Sequence, residues 1–214
     1  MFGIFSRSSS PSASTALRVL NVGGHSKEIA IPPHFAQWRH DLLDIDPRGN
    51  PDLLCDARAL GAQPGASYDA IYCSHNLEHY LHHDAKRVLL GFLHVLKDSG
   101  FADIRVPDIG QVMRHCVASD LDLDDVLYTS PAGPIRVRDV FWGLGTMIER
   151  SGNDFYAHKT GFTRQSLTRI LENAGFAEVF LDAEGEPAFE IRAIAFKRAG
   201  ANPHKTLLGI PQPV

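Results

Sequence analysis

Residues 17–26 read LRVLNVGGHS: an apolar run from Leu17 to Val22, then Gly23 and Gly24. A short apolar run stopped by turn residues marks a buried strand. Glycine directly after a strand lets the backbone turn sharply and come close to a ligand. Further along, similar runs occur at Trp38–Ile45, Asp52–Cys55, Tyr68–Cys73 and Phe101–Val106, the last stopped by Pro107. Glu178–Leu181 and Phe189–Lys197 come late in the chain, and a turn around Glu184–Pro187 would join them as an antiparallel hairpin.

Helical segments fall between the runs. Ala85, Leu89, Phe92, Leu93 and Leu96 keep a helical period, with Asp84 as a candidate cap and Gly100 as the stop. Leu167, Ile170, Leu171 and Ala174 form a second stripe between Thr163 and Gly175. A third helix is expected to start at Asp108, with Gln111 three residues on. Strand followed by helix, repeated, predicts an α/β domain with a mostly parallel sheet and helices on its faces. The segment Ser26–Gln37 contains Pro32 and Pro33 and no long amphipathic pattern, so the first crossover helix is expected to be shortened or absent.

The 214 residues suit one domain, read as 17–198, with an insertion or lid at about 109–157. Residues 1–16, rich in Ser, Pro and Ala, predict a disordered tail, and 199–214 an irregular one. Lys plus Arg number 21 against 25 Asp plus Glu, a net charge of -4, which argues against a dedicated nucleic-acid binder. No apolar run approaches the roughly 20 residues that span a bilayer, so stable membrane insertion is not expected and a cytoplasmic location is. Cys55, Cys73 and Cys116 show no metal or disulfide spacing.

In an open parallel sheet, ligands sit beyond the carboxyl ends of the strands where the strand order reverses. Four loops then become candidates: Asn21-Gly23-Gly24-His25, Asp44-Ile45-Asp46, Asp56-Ala57, and Ser74-His75-Asn76 with Glu78 and His79. Asp44, about 20 residues past the glycines, is placed for ribose hydroxyls.

Together these residues resemble the class I S-adenosylmethionine-dependent methyltransferases, the branch with a methyltransferase-11-type domain. The likeness covers Leu17–Pro107, with Leu96-Lys97-Asp98-Ser99-Gly100 before the fifth strand. It resumes over His158–Thr163 and through Gly175-Phe176. It implies a Rossmann-like doubly wound seven-stranded sheet and S-adenosylmethionine as cofactor. It also implies that Gly23 and Gly24 line the methionine part, Asp44 holds the ribose, Ile45 packs on adenine and Asp56 accepts from the adenine amino group. Ser74, His75 and Asn76 would lie under the sulfonium. The sequence departs from the family where Asn21 replaces the leading acidic residue, and where His25 and Lys27 replace later glycines.

Transfer from a sulfonium to oxygen or nitrogen requires removal of the acceptor's proton, and His79 or His158 is the candidate base. O-methylation of a small-molecule or glycan-type acceptor is the expected reaction. A methyltransferase-fold protein without turnover is the alternative. A nicotinamide enzyme would need Gly-x-Gly-x-x-Gly, which Gly23–Glu28 lacks. His75 and His79 are four apart, a ligand-compatible spacing, but no further ligands are evident and no metal is expected. Tyr156 and Lys159 are additional candidates for the acceptor side.

Overall fold

A computed structural model describes residues 16–131, 133–183 and 189–212 of the chain. The tail expected to be disordered therefore falls, apart from Ala16, outside the described residues, as does the turn around Glu184–Pro187.

Five strands fall on the expected apolar runs: β1 (Arg18–Val22), β2 (Arg39–Asp44), β3 (Leu53–Leu54), β4 (Tyr68–Ser74) and β5 (Leu96–Pro107), although β5 starts five residues early and takes Leu96 and Gly100, which were expected in the preceding helix and at its stop. They pair in parallel in the order β3-β2-β1-β4-β5. The sheet is completed by β8 (Glu178–Leu181) and β9 (Glu190–Phe196), with β9 inserted antiparallel between β5 and β8. All seven expected strands are present, and the order reverses between β1 and β4.

The helices α1 (His82–Val95) and α5 (Arg164–Ala174) pack on one face of the sheet. Val88, Leu89 and Phe92 of α1 meet Leu167 and Leu171 of α5 over Leu20, Ile71 and Ile104. Thr163 caps α5 by accepting from Ser166 N, and Gly175 ends it in the left-handed region, as expected. Asp84 is not the cap of α1. The helix begins two residues earlier, and Asp84 sits in its first turn, ion-paired with Arg58 at 3.1 Å. Acidic side chains are stabilising there because of the helix dipole. At α2 (Ile109–Ser119) Asp108 accepts from Gln111 N, but the Gln111 side chain turns to Phe189 N instead of closing the box.

Between β1 and β2 the described chain holds only a 3-10 turn at Pro33–Phe35, so the first crossover helix is absent as expected. Another part of the chain covers the sheet there. Phe35 stacks on Phe101, Trp38 meets the same ring edge-on, and α6 (Pro203–Leu207) brings His204 within 5.4 Å of both the Trp38 and Phe101 rings. Leu208 and Ile210 join the same cluster. Lys205, 1% exposed, reaches Glu178 at 2.6 Å with its ammonium over Phe180 and Phe196. The segment expected to be an irregular tail thus supplies cover for the face the missing helix leaves open. Its Leu207-Leu208 pair lies within a larger docking motif that proline- and glycine-rich composition concealed.

The insertion after β5 holds α2, a hairpin of β6 (Val126–Ser130) and β7 (Gly133–Arg136), then α3 (Val137–Trp142) and α4 (Gly145–Ser151). Val112, Leu127, Val137 and Val140 form its own small core. The chain re-enters the sheet layer through Phe162, whose carbonyl accepts from Ile109 N. No helix among the described residues is long and apolar enough to cross a membrane.

Candidate active site

A cavity of about 680 Å³ opens at the carboxyl ends of β1, β2 and β4, where the strand order reverses. That size is within the usual range of small-molecule sites. Gly23, His25, Asp44, Ile45, Asp56, His75, Asn76 and His79 line it, so residues from all four predicted loops converge. Asn21, Gly24, Ala57, Ser74 and His158 are not in its wall. Asn21 is 2% exposed and packs its amide against the Gly24 Cα, while Ala57 is buried in the core.

The β1 turn is held by backbone chemistry. Gly23 adopts φ +72°, and its N–H donates to Leu43 O at 2.8 Å. A Cβ at Gly23 would stand 2.0 Å from Asn76 Nδ2, so glycine is what lets the β1 and β4 loops touch. His25 takes φ +59°, the left-handed conformation a glycine would supply, and remains exposed at the rim. Its N–H donates to Asp44 Oδ2 at 3.0 Å, and Asp46 N–H donates to Asp44 Oδ1 at 2.9 Å. Asp44 thus pins two loops with one lone pair of each oxygen and keeps the others for a ligand. Ile45 beside it is 42% exposed, an apolar surface without protein cover.

Asp56 is the N-cap of the turn Ala57–Ala62, accepting from Arg58 N. The Arg58 guanidinium grips both of its carboxylate oxygens and reaches on to Asp84. Burial pushes the Asp56 carboxyl up, but Arg58 and the backbone bond outweigh it and hold the group below its usual range. Arg58 itself lines the cavity, a cation that sequence reasoning missed because only the fold brings it between Asp56 and Asp84.

No protein-family model and no curated protein matches the sequence. Solved structures do match the fold. A SAM-dependent methyltransferase from Archaeoglobus fulgidus aligns at TM-score 0.52 and 17% identity over 85% of this chain and 86% of its own. A possible histamine N-methyltransferase from Thermotoga maritima aligns at TM-score 0.51 and 14% identity, over 85% and 82%. An O-methyltransferase family protein from Burkholderia thailandensis gives TM-score 0.51 and 13% identity over 87% of this chain and 52% of its own. The chain has the class I S-adenosylmethionine-dependent methyltransferase fold.

In this methyltransferase fold the far wall of the cavity comes from the segment that returns from the insertion. Asp154, Phe155, Tyr156 and Lys159 all face it. Lys159 pairs with Asp154 at 3.0 Å, and Lys159 N and Thr160 N both donate to Glu78 O. Those two bonds bring His158 beside His79, with ring centroids 5.0 Å apart. His79 Nδ1 lies 3.1 Å from Ala157 O and His158 Nδ1 lies 2.8 Å from Val140 O. A carbonyl only accepts, so each Nδ1 is the donor, and a neutral ring then keeps its lone pair on Nε2. Burial holds the His158 imidazole below its ordinary pKa despite the nearby Glu78 carboxylate.

His75 takes φ +48° at the end of β4 and sits between two carboxylates, 2.8 Å from Glu190 Oε2 and 3.5 Å from Glu78 Oε1. Partial burial draws its pKa down, but the two acids reverse this and hold it up at about 10. At neutral pH the cavity floor therefore carries an imidazolium. Glu78 is fully buried; burial pushes its carboxyl up, yet His75, His79 and His158 bring it below the usual range. The sequence showed Glu78 among histidines, but its convergence with His158 joins segments about 80 residues apart and needed the fold.

Proposed function

We propose that the cavity binds S-adenosylmethionine and that the protein transfers its methyl group to a small-molecule or glycan-type acceptor, as an O-methyltransferase. The observation that carries this reading is the Asp44 carboxylate. It lies at the end of β2, at the order reversal, with acceptor capacity left over and the exposed Ile45 beside it. A ribose diol would take the free lone pairs, the purine would lie on Ile45, and the methionine end would run past Gly23 toward Asn76. Asp56 remains the candidate for the adenine amino group, now shared with Arg58. The family departure at residue 25 is accommodated, since His25 adopts the left-handed backbone and stays at the rim.

When bound, S-adenosylmethionine supplies an electrophilic methyl group on a positively charged sulfur. The chain's own residues place the acceptor and manage its proton. Asp154–Lys159 forms the wall opposite the cofactor side and fixes the approach direction, and orientation of this kind carries much of the acceleration. The acceptor's proton leaves toward His79, which lines the cavity and whose Nε2 is left free by the Nδ1 bond to Ala157 O, with His158 beside it as the other candidate base.

Calorimetric titration with S-adenosylmethionine and S-adenosylhomocysteine tests the reading, with NAD as control. Binding of the first two and not of NAD supports it. Binding of none refutes it and leaves the alternative of a methyltransferase-fold protein without turnover.

A further inference from the structure

Glu78 is 1% exposed, and neither of its carboxylate oxygens has a hydrogen-bond partner among the described residues. Its one close charged neighbour is His75 Nδ1, 3.5 Å from Oε1. A carboxylate this deep is strongly destabilising unless a cation or several donors meet it. The His75 imidazolium meets only Oε1, and only at 3.5 Å, which leaves Oε2 to the groups on the other side, His79 and His158. His79 and His158 commit their Nδ1 protons to the carbonyls of Ala157 and Val140, which leaves acceptor lone pairs on Nε2. One ligand atom from each of Glu78, His79 and His158 lies within 4.8 Å of the others. With both rings neutral, three acceptor atoms face one another, and a metal ion is the ligand that would satisfy all three at once.

We propose that Glu78, His79 and His158 bind a divalent transition-metal ion, with zinc(II) the best match. Two imidazoles and one carboxylate are the donor set of zinc sites that keep an open position, whereas magnesium and calcium require oxygen-rich shells. The imidazoles are oriented as metal-bound histidines are, each with its second nitrogen donating to a backbone carbonyl. The framework is already assembled, because the bonds from Lys159 N and Thr160 N to Glu78 O join the two ligand-bearing segments. The ligand atoms need to draw together by at most about 1.4 Å to reach the roughly 3.4 Å spacing of tetrahedral ligands about 2.1 Å from zinc.

Three protein ligands would leave a position for a further ligand, and one of the three, His79, lines the cavity. An oxygen bound there would be acidified by the ion. With metal bound, the imidazoles are ligands and no longer bases, so the ion takes over activation of the acceptor. This consequence rests on the methyltransferase reading; the metal site itself does not.

The test uses the full-length protein, stripped with a chelator and free of nucleoside. Zinc(II) is titrated by calorimetry, and cobalt(II) by its visible absorption. The expected result is one ion per chain and the visible bands of four- or five-coordinate cobalt, both reversed by chelator. Glu78→Gln and His158→Asn should each weaken binding about 10- to 100-fold or more. The exposed pair His82 and His83 serves as control, and replacing both by Ala should leave binding unchanged. No stoichiometric binding overturns the proposal. So does binding that survives Glu78→Gln and His158→Asn, or binding lost in the His82/His83 variant. Far-UV circular dichroism checks that each variant is folded; if Glu78→Gln is not, His158→Asn and the control pair decide. S-adenosylmethionine titrated into the same stripped protein separates the two readings, because either ligand can bind without the other.

Discussion

Asp44→Ala separates ligand binding from loop anchoring. In the unliganded protein the change removes the acceptor for His25 N–H and Asp46 N–H. Losing two such bonds costs about 1–3 kcal/mol, which in a chain of this size lowers Tm by about 2–12 °C. That loss says nothing about function; the ligand-induced increment does. At 100 times its Kd, S-adenosylhomocysteine should stabilise the natural protein by about 2.7 kcal/mol. At about 2–4 °C per kcal/mol this is a rise of about 5–11 °C. Asp44 is 8% exposed, so hydrogen bonds from a ribose diol to its carboxylate form in a largely water-free site, at about 1.5–3 kcal/mol each. Their loss weakens binding by about 100-fold or more. At the same ligand concentration the variant would sit near its Kd, and its increment would shrink to about 0.4 kcal/mol, or 1–2 °C. Differential scanning fluorimetry reads both numbers. A variant that keeps the full increment while its unliganded Tm falls would show that Asp44 only anchors loops and that the ribose assignment is wrong.

Gly23→Ala places a Cβ 2.0 Å from Asn76 Nδ2 at φ +72°, so Asn76 must swing into the cavity. The left-handed backbone adds about 1–2 kcal/mol, and calorimetry should show cofactor affinity reduced at least tenfold while far-UV circular dichroism is unchanged. A chain ending at Gly200 loses Leu208 and Ile210 from the cluster over Phe101 and Phe196. Urea unfolding should show a loss of about 2–4 kcal/mol, and an unchanged midpoint would mean that this face does not need its cover. Arg192→Met removes the closest partner of Asp103, which is fully buried and held by Arg192 at 2.9 and 3.0 Å, and leaves it His34 at 3.4 Å and Arg105 at 3.8 Å. The expected cost is about 1–3 kcal/mol. Burial raises the Asp103 carboxyl, but His34 and Arg192 lower it further, so its folded pKa lies below the ordinary value. A depressed acid contributes stability above its unfolded pKa near 4 and loses it as pH falls through the folded value. Acid unfolding should therefore flatten in Asp103→Asn, and a curve with its original slope would exclude Asp103 as a contributor.

The sequence by itself determined the chain order of the seven sheet strands and of α1, α2 and α5, the missing first crossover helix and the positions of the four loops. These are local matters: apolar runs, Gly23 after β1, Thr163 before α5 and Gly175 after it impose backbone geometry on their neighbours. Asp44, Ile45 and Asp56 were legible for the same reason, since Asp44 ends β2, Ile45 follows it and Asp56 comes two residues after β3. That Asn21 and Ser74 on β1 and β4, and Ala57 at the start of the turn after β3, stay out of the cavity wall was not legible, because facing depends on the packing around each of them. Nor was α6 as the cover for the open sheet face, since only packing against Trp38 and Phe101 gives that short segment a reason to be helical. The tertiary structure alone decided that Arg58, already beside Asp56, also reaches Asp84, and that His158 meets Glu78 and His79. Charges and lone pairs far apart along the chain acquire their chemistry only when burial and distance are fixed, and the sequence carries no distance between them.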